Sequence, residues 1–183
     1  MERLHKKKNM ILRLAQLSDC ERIMELIFQA KRYFKEAGID QWQEENYPSI
    51  DTIVQDIQQG NCYVVEQDQK IIASCVILFE DDSNYSIIEG GNWLSEGPYA
   101  VMHRIVTAMQ CKGQGVAGLF FEYAIEKARK LNFKSIRIDT HRDNQSMQRY
   151  ISKHGFEYCG IVYVSKHSPR NAYECLVDKK HSI

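Results

Sequence analysis

A chain of 183 residues, 44% of them hydrophobic and 26% charged, has the length and balance of one globular domain, 1–183, and gives no reason to expect disorder. Lysine plus arginine and aspartate plus glutamate each total 24, so the net charge is zero, and neither nucleic acid nor a membrane is expected as a partner. The six cysteines are scattered without a C-x-x-C pair or a secretory leader, which predicts reduced thiols in the cytoplasm and no metal site.

The first half of the chain predicts a strand, two helices and a hairpin. Residues 1–9 include three consecutive lysines and are expected to form a flexible basic tail. Ser18 and Glu21 have the spacing of a capping box before an amphipathic helix, and Gly38 supplies its end. The elements expected here are a strand over 10–16, helices over 19–37 and 50–59, and hairpin strands over 62–66 and 71–79. The last of these strands is the clearest uncharged apolar run, and it is too short to span a bilayer.

The second half alternates strands and helices after a long polar loop. Residues 81–98 carry aromatic side chains, and a loop of this length in a small domain is usually functional or partly ordered as short strands. The elements expected after it are strands over 101–108, 135–140, 156–164 and 172–177 and helices over 116–131 and 144–153. This order of strands and helices predicts an α/β domain built on a mixed sheet.

Three glycines between the strand over 101–108 and the next helix indicate a phosphate site. Gly113, Gly115 and Gly118 fit G-x-G-x-x-G, and a helix N-terminus presents backbone N–H groups and a positive dipole to an anion. In a dinucleotide-binding fold, Asp139 would stand 21 residues after Gly118, the separation that a ribose-binding acid requires. Only 43 residues follow the strand that carries Asp139, too few for a doubly wound sheet, and the hairpin before the motif is antiparallel. An NAD- or NADP-binding redox or sensor domain is therefore the second interpretation.

A frame that begins three residues earlier gives the first interpretation. Gln110-Cys111-Lys112-Gly113-Gln114-Gly115 resembles the Q/R-x-x-G-x-G/A pyrophosphate loop of the GNAT N-acetyltransferase superfamily. Downstream, Asn144, Tyr150 and Gly155-Phe156 resemble that superfamily's second signature, an asparagine, a tyrosine six residues later and Gly-Phe entering a strand. The element order is similar over nearly the whole chain. One departure is that Met109 and Cys111 are less polar than the basic residues often found around this loop.

The resemblance implies a single-domain GNAT-like fold, with a mixed, mostly antiparallel sheet, a splayed parallel strand pair and flanking helices. It also implies acetyl-CoA as cofactor and a primary amine as acceptor, acetylated by direct attack. The main chain of Ile105, Val106 and Thr107 would contact the pantetheine arm and the thioester. Tyr150 would be the general acid, with a packing aromatic as the alternative, and Asn144 would hold the cofactor or cap its helix. The other residues expected at the cofactor are Gln110, Lys112, Gly113, Gln114, Gly115, Val116, Ala117 and Gly118.

The general base and the acceptor site are less well determined by the sequence than the cofactor site. His103, in the strand before the loop, is a side chain suited to proton transfer near neutral pH, with a half-buried structural histidine as the alternative. Glu89 and Glu96 are expected to be solvated loop acids rather than bases acting through water, and Cys111 has no adjacent base that would make it a nucleophile. The aromatic residues expected at the acceptor, a small molecule or a peptide end, are Trp42, Tyr85, Trp93 and Tyr99. A homodimer and a CoA-binding module without catalysis are both compatible with the sequence.

Overall fold

The computed structural model of the protein describes residues 5–7, 9–44, 46–164 and 168–178. In these residues it contains four α-helices and eight β-strands. The helices are α1 (Cys20–Glu36), α2 (Ile50–Gln58), α3 (Gly118–Lys130) and α4 (Gln145–Lys153). The strands are β1 (His5–Lys7), β2 (Met10–Leu14), β3 (Cys62–Gln67), β4 (Lys70–Leu78), β5 (Tyr99–Thr107), β6 (Ser135–Thr140), β7 (Glu157–Tyr163) and β8 (Pro169–Leu176).

The chain divides into two compact units. The first contains Met1–Ile77 and Arg104–Tyr123, and the second contains Leu78–His103 and Ala124–Ile183. β5 and α3 therefore each contribute residues to both units.

In the first unit, β1, β2, β3 and β4 pair antiparallel in that order. β3 and β4 form the predicted hairpin around Asp68 and Gln69, whose φ values of 49° and 62° are those of a tight two-residue turn. Ile23, Leu26 and Ile27 are buried on the apolar face predicted for α1. The predicted elements of this part of the chain are confirmed, with their ends moved by a few residues.

The start of α1 differs from the prediction. The expected capping box of Ser18 and Glu21 is wrong, because Asp19 accepts the backbone N–H of Gln16 at 2.8 Å and the helix is entered through a 3-10 turn. The same carboxylate accepts from Arg13 Nη1 at 2.6 Å and Nη2 at 3.1 Å. Since Arg13 is buried, its guanidinium needs carboxylate partners, and it binds both Asp19 at the start of the helix and Glu66 of β3.

The N-terminal tail expected over 1–9 contains a short strand. His5–Lys7 pair with β2, Lys6 opposite Ile11, because the outer edge of β2 offers backbone groups for pairing. Residues 1–4 and 8 of that tail lie outside the described residues.

The second unit contains the mixed part of the sheet. β5 pairs parallel with β6, from the Tyr99–Ser135 pair to the Met102–Ile138 pair. The pairing ends there although both strands continue. The predicted splayed parallel pair is thus confirmed. On its other side β6 pairs antiparallel with β8, and β8 pairs antiparallel with β7. The parallel succession that a doubly wound dinucleotide-binding sheet needs is therefore not formed beyond β6.

The long loop 81–98 is ordered against the second unit. It contains a 3-10 turn, Ser83–Tyr85, and Glu89 exchanges two backbone hydrogen bonds with Ile161 of β7, at 2.9 and 2.8 Å. Gly91 passes so close to β7 that an added Cβ would collide with the backbone oxygen of Cys159 in that strand. The expectation of partial order in this loop is confirmed. Among the described residues, no helix has the length and apolar character needed to cross a membrane.

Candidate active site

The glycine-rich loop belongs to the first unit and joins β5 to α3. After β5 the chain makes a 3-10 turn, Met109–Cys111, and Gly113 and Gly115 follow with φ of 76° and 77°. An added Cβ would meet no atom within 4 Å at either glycine. The left-handed backbone, and not crowding, therefore requires glycine, and the space beside both Cα atoms is open.

Bare backbone amides gather in this loop. The first three amides of α3 donate to carbonyl oxygens three residues earlier, at 3.1 to 3.2 Å. Among the described residues, no acceptor is found for four further N–H groups, those of Gly113, Gly115, Val116 and Ala117. They precede a 13-residue helix, whose dipole adds positive potential at the same end. This combination suits a phosphate or pyrophosphate group.

Side chains of the motif stabilise the loop. Gln114 Nε2 donates to the backbone oxygen of Gln110 at 2.9 Å and closes the turn between them. Lys112 Nζ lies 3.9 Å from the centroid of the Tyr33 ring, on α1, in a cation–π contact. The ammonium group of Lys112 is thus held beside the loop without a carboxylate among its described contacts, and its charge is available to an anion.

β5 changes its backbone conformation before it reaches the loop. Arg104 has a φ of 50°, a left-handed value that few residues other than glycine adopt. Of the following residues, Val106 is buried, and Ile105 and Thr107 are half-buried. The left-handed residue lies two positions after Met102, where the pairing with β6 ends. Nothing in the sequence signals such a backbone at an arginine, and sequence reasoning missed it.

His103 lies in the second unit, between two carboxylates. Its Nε2 is 2.8 Å from Asp82 Oδ2, and its Nδ1 is 4.0 Å from Asp139 Oδ1. The imidazole also stacks on the ring of Tyr85, with centroids 5.9 Å apart and planes at 19°. The hydrogen bond from His103 holds the pKa of the Asp82 carboxyl below its usual value, although burial acts in the opposite direction. Asp82 is therefore ionised at neutral pH and orients the imidazole.

Three of the four predicted acceptor aromatics come together in the second unit. The ring of Tyr85 contacts those of Trp93 and Tyr99, at centroid distances of 5.6 and 6.5 Å. Tyr85 and Tyr99 are largely buried, and their hydroxyls donate to Asp139 at 2.6 Å and to the Asp82 backbone oxygen at 3.1 Å. Burial, and next the nearby Asp139 carboxylate, raises the pKa of Tyr85 well above its ordinary value. Tyr85 and Tyr99 are thus the buried members of this aromatic group.

The fourth predicted aromatic residue is Trp42. It belongs to the first unit, where its ring packs edge-on against Phe34 with centroids 5.6 Å apart.

An open cleft of about 760 Å³ lies within the second unit, beside these aromatic residues. Arg137 forms part of it, and its guanidinium stacks 4.1 Å from the Trp93 ring and 3.7 Å from the Tyr99 ring. The charge of Arg137 is compensated by the fully buried Glu174, whose Oε1 accepts from Arg137 Nε at 3.1 Å. The remaining charged residues of the lining are acids: Asp81, Asp82 and Glu96. The cleft is therefore acidic, with an aromatic wall.

The second motif is built on α4. The Asn144 side chain accepts the backbone N–H of Met147 at 3.2 Å and so caps the helix, as one of the two predictions expected, while its contact with the cofactor stays a prediction. Tyr150, in the second turn, is half-buried, and its ring lies against that of His154 with centroids 4.3 Å apart. Gly155 follows with a φ of 84°, the left-handed residue that ends the helix.

The sequence matches the model of the Acetyltransferase (GNAT) family over residues 19–156. This chain belongs to the GNAT acetyltransferase family. It is 32% identical to a GNAT family acetyltransferase of Streptococcus agalactiae, with a TM-score of 0.86 over 95% of this chain and 99% of that one. It shares its fold with a GNAT acetyltransferase of Listeria monocytogenes, at 19% identity, a TM-score of 0.69 and coverage of 91% and 94%.

The same fold is found in the PaiA N-acetyltransferase of Thermoplasma acidophilum, which was solved in complex with coenzyme A. That protein is 16% identical, with a TM-score of 0.67 and coverage of 91% of this chain and 98% of its own. A search of curated proteins gave no match.

Family membership and topology decide between the two interpretations of the glycines. In this GNAT protein, Asp139 accepts from Tyr85 and lies 4.0 Å from Arg170 Nε, so its carboxylate is engaged inside the second unit. Together with the antiparallel strands β8 and β7, this leaves the dinucleotide interpretation without support.

The cysteines of this GNAT protein offer no exposed nucleophile. All six lie in the described part of the chain and are buried, and no disulfide joins them. Burial raises the pKa of Cys62 to about 12 and that of Cys159 to about 11, so both are protonated at neutral pH. Cys111, within the loop, is buried as well.

Sequence reasoning missed Asp82 as the partner of His103, and Asp56 as the partner of Arg104. The two members of each pair are 21 and 48 residues apart, so no local pattern connects them. The only signal was generic: a buried histidine or arginine needs a hydrogen-bonding partner.

Proposed function

We propose that this protein transfers an acetyl group from acetyl-CoA to a primary amine, which attacks the thioester directly. The observation that carries the proposal is the set of four bare amides at Gly113, Gly115, Val116 and Ala117, in a chain of the GNAT family. Acetyl-CoA supplies the acetyl group as an activated thioester.

The glycine-rich loop is the proposed pyrophosphate site. Its bare amides donate hydrogen bonds to phosphate oxygens, and the open space beside Gly113 and Gly115 lets the ligand approach the main chain. Lys112 adds a positive charge. The main chain of Ile105, Val106 and Thr107 is proposed to contact the pantetheine arm and the thioester.

His103 is the proposed general base. An alkylammonium ion has a pKa of about 10.4 and must lose a proton before it attacks. Because the ionised Asp82 accepts the N–H of Nε2, the neutral imidazole has its lone pair on Nδ1, and this atom takes the proton. Asp82 then stabilises the imidazolium ion that results.

Tyr150 is the proposed general acid, which gives a proton to the sulfur that leaves. A phenol is a suitable donor because its pKa of about 10 is near that of a thiol. The buried thiols of this chain support direct transfer over an acyl-cysteine route.

The acidic cleft of the second unit is the proposed acceptor site. An amine is cationic before it reacts, and the carboxylates of Asp81 and Glu96 at the cleft attract it. The ring of Trp93 offers an aromatic surface beside them. Contact of Trp42 with the acceptor, the cytoplasmic location and a homodimer stay predictions from the sequence.

The test is an assay of thiol release from acetyl-CoA in the presence of an amine panel. The panel contains a polyamine, an amino acid, an aminoglycoside and peptides with a free N-terminus or lysine. Each is paired with its dimethyl partner, in which methylation has made every amine nitrogen tertiary, so that none can accept an acetyl group. We expect one class to accelerate thiol release and to appear acetylated in the mass spectrum, while its dimethyl partner does neither. Thiol release that no primary amine accelerates, from protein saturated with acetyl-CoA, would contradict the proposal.

A further inference from the structure

We propose that the ion pair of Arg104 and Asp56 is a positioning device for the acetyl transfer proposed above. It holds the left-handed residue of β5 in place, directly before the segment Ile105–Thr107 that is proposed to contact the thioester. Neither residue touches a reacting atom in this role. The inference rests on the proposed function.

Arg104 has an unusual backbone for its place in the fold. Of the non-glycine residues with positive φ in the described part of the chain, it is the one that lies inside a helix or strand. The others lie in turns or loops, where asparagine and aspartate are frequent. A left-handed arginine within a strand costs free energy, and it persists only where its surroundings enforce it.

The side chain of Arg104 supplies that enforcement. Its Nε donates to Asp56 Oδ2 at 3.0 Å and its Nη2 to Asp56 Oδ1 at 2.7 Å, a bidentate arrangement. Its Nη1 donates to the Tyr47 hydroxyl at 3.1 Å. Asp56 is 6% exposed, and the Arg104 side chain is 14% exposed, so water competes little for these bonds.

The pair is anchored in a rigid element. Asp56 belongs to α2, whose first turn is capped by Ser49 through a hydrogen bond from the Thr52 amide at 3.1 Å. The guanidinium fork fixes the direction as well as the distance of the Arg104 side chain relative to α2. All of these residues belong to the first unit.

The position of Arg104 in the chain indicates which segment the ion pair holds in place. A left-handed residue interrupts the hydrogen-bond ladder of a strand and turns the backbone that follows it. Arg104 stands between His103, the proposed base, and Ile105–Thr107. A misplacement of about 1 Å in such a segment costs on the order of a hundredfold in rate. Holding Arg104 therefore affects turnover more than cofactor affinity.

The experiment compares Arg104→Ala, Arg104→Gly and Asp56→Asn in the amine acetylation assay. Glycine adopts positive φ without strain, so Arg104→Gly removes the anchor but permits the turn, whereas alanine removes the anchor and resists the turn. We expect kcat to fall about tenfold to a hundredfold in Arg104→Ala and Asp56→Asn, and clearly less in Arg104→Gly. The KM for acetyl-CoA is expected to change less than about threefold, since the phosphate loop is intact.

Two further variants complete the experiment. Glu25→Gln breaks the ion pair to Arg22 on α1, at a side chain that is 56% exposed, and is expected to keep wild-type kcat. Tyr47→Phe removes one hydrogen bond at an exposed residue and is expected to fold even if Asp56→Asn does not; a kcat loss of a few-fold at constant acetyl-CoA KM supports the inference. Wild-type kcat in all folded variants, or equal losses for glycine and alanine at position 104, would overturn it. Absence of transfer by the wild-type protein would instead count against the proposed function.

Discussion

Gly115 in the phosphate loop and Gly60 after α2 have nearly the same backbone. Their φ values are 77° and 73°, and an added Cβ would meet no atom within 4 Å at either position. Both residues belong to the first unit. They differ in what stands next to them, since only Gly115 carries a bare amide and is flanked by others. Substitutions at the two glycines can therefore distinguish the free-energy cost of backbone strain, which both share, from the loss of a binding site, which only Gly115 would show.

Gly115→Ala is expected to weaken acetyl-CoA binding about tenfold, because its methyl group stands in the space through which phosphate reaches the amides. Gly60→Ala is the matched control. Each change forces a left-handed alanine, which costs about 1 kcal/mol, so both variants should melt at similarly lower temperatures. Isothermal titration measures the affinities. Equal acetyl-CoA affinities in the two variants would exclude the loop as the phosphate site.

Tyr150→Phe is expected to lower kcat about a hundredfold while the acetyl-CoA dissociation constant stays unchanged, because only the proton donor is lost. Tyr158→Phe, at a residue of β7 that is 54% exposed, is the control and should leave both quantities as in the wild type. Steady-state kinetics and titration give the two numbers. Unchanged turnover in Tyr150→Phe would show that this ring only packs against His154.

At the scale of the elements, β5 and the loop 81–98 build the proposed base together. β5 supplies His103, and the loop supplies Asp82, which is held in turn by the backbone and side-chain amides of Asn84 at 2.8 and 2.9 Å. The bridge between Glu89 and β7 fixes the same loop further along. The hydrogen bond between His103 and Asp82, called the dyad below, helps to order the loop. The loop in turn orients the imidazole of His103.

The dyad makes stability depend on pH in the acid range. Because the pKa of Asp82 is lowered in the folded protein, the carboxylate contributes stability above its ordinary pKa of 3.8, and that contribution is lost as the pH falls through the lowered value. Asp82→Asn is therefore expected to be less stable than the wild type at neutral pH, by an amount that shrinks below pH 3.8.

Urea unfolding of both proteins over a pH series checks this expectation. Asp81→Asn, at the exposed neighbouring residue, is the control and should follow the wild-type curve closely. A stability difference between wild type and Asp82→Asn that stays constant down to the most acidic pH would mean that the dyad does not favour the Asp82 carboxylate.

Much of the fold was predictable from local patterns. β6 over Ser135–Thr140 alternates in polarity and has the predicted ends, and α2 over Ile50–Gln58 ends one residue before its predicted end. The features that differ depend on side-chain contacts that the local pattern does not reveal. At the start of α1, Asp19 pairs with the buried Arg13. At the left-handed turn in β5, Arg104 pairs with Asp56.

The site was predictable in part for the same reason. The loop is contiguous and its glycines act through the backbone, so a sequence motif is enough to find it. The cleft is assembled from the loop 81–98 and two strands. The sequence does not show which acids line it, because their contacts depend on how these segments fold together. Trp42 shows the limit: its residue type alone suggested a contact with the acceptor, and its observed contact with Phe34 leaves that prediction as it was.

For the whole molecule, membership of the GNAT family and the fold determine the class of enzyme. The likeness to the Streptococcus agalactiae acetyltransferase extends over 95% of the chain. The acceptor is proposed to bind in the cleft, where an acidic lining favours a cationic amine. The use of acetyl-CoA is common to the family, whereas the acceptor differs between its members. Every residue role proposed above depends on the binding of acetyl-CoA.

The most direct measurement is the melting temperature of the protein with acetyl-CoA and, separately, with NAD(H). At a ligand concentration one hundred times the dissociation constant, binding adds about 2.7 kcal/mol, which raises the melting temperature of a chain of this size by about 5 to 10 °C. We expect that rise with acetyl-CoA, a smaller one for Gly115→Ala at the same concentration, and none with NAD(H). No rise with acetyl-CoA, or an equal rise with NAD(H), would contradict the assignment of the glycine-rich loop to coenzyme A.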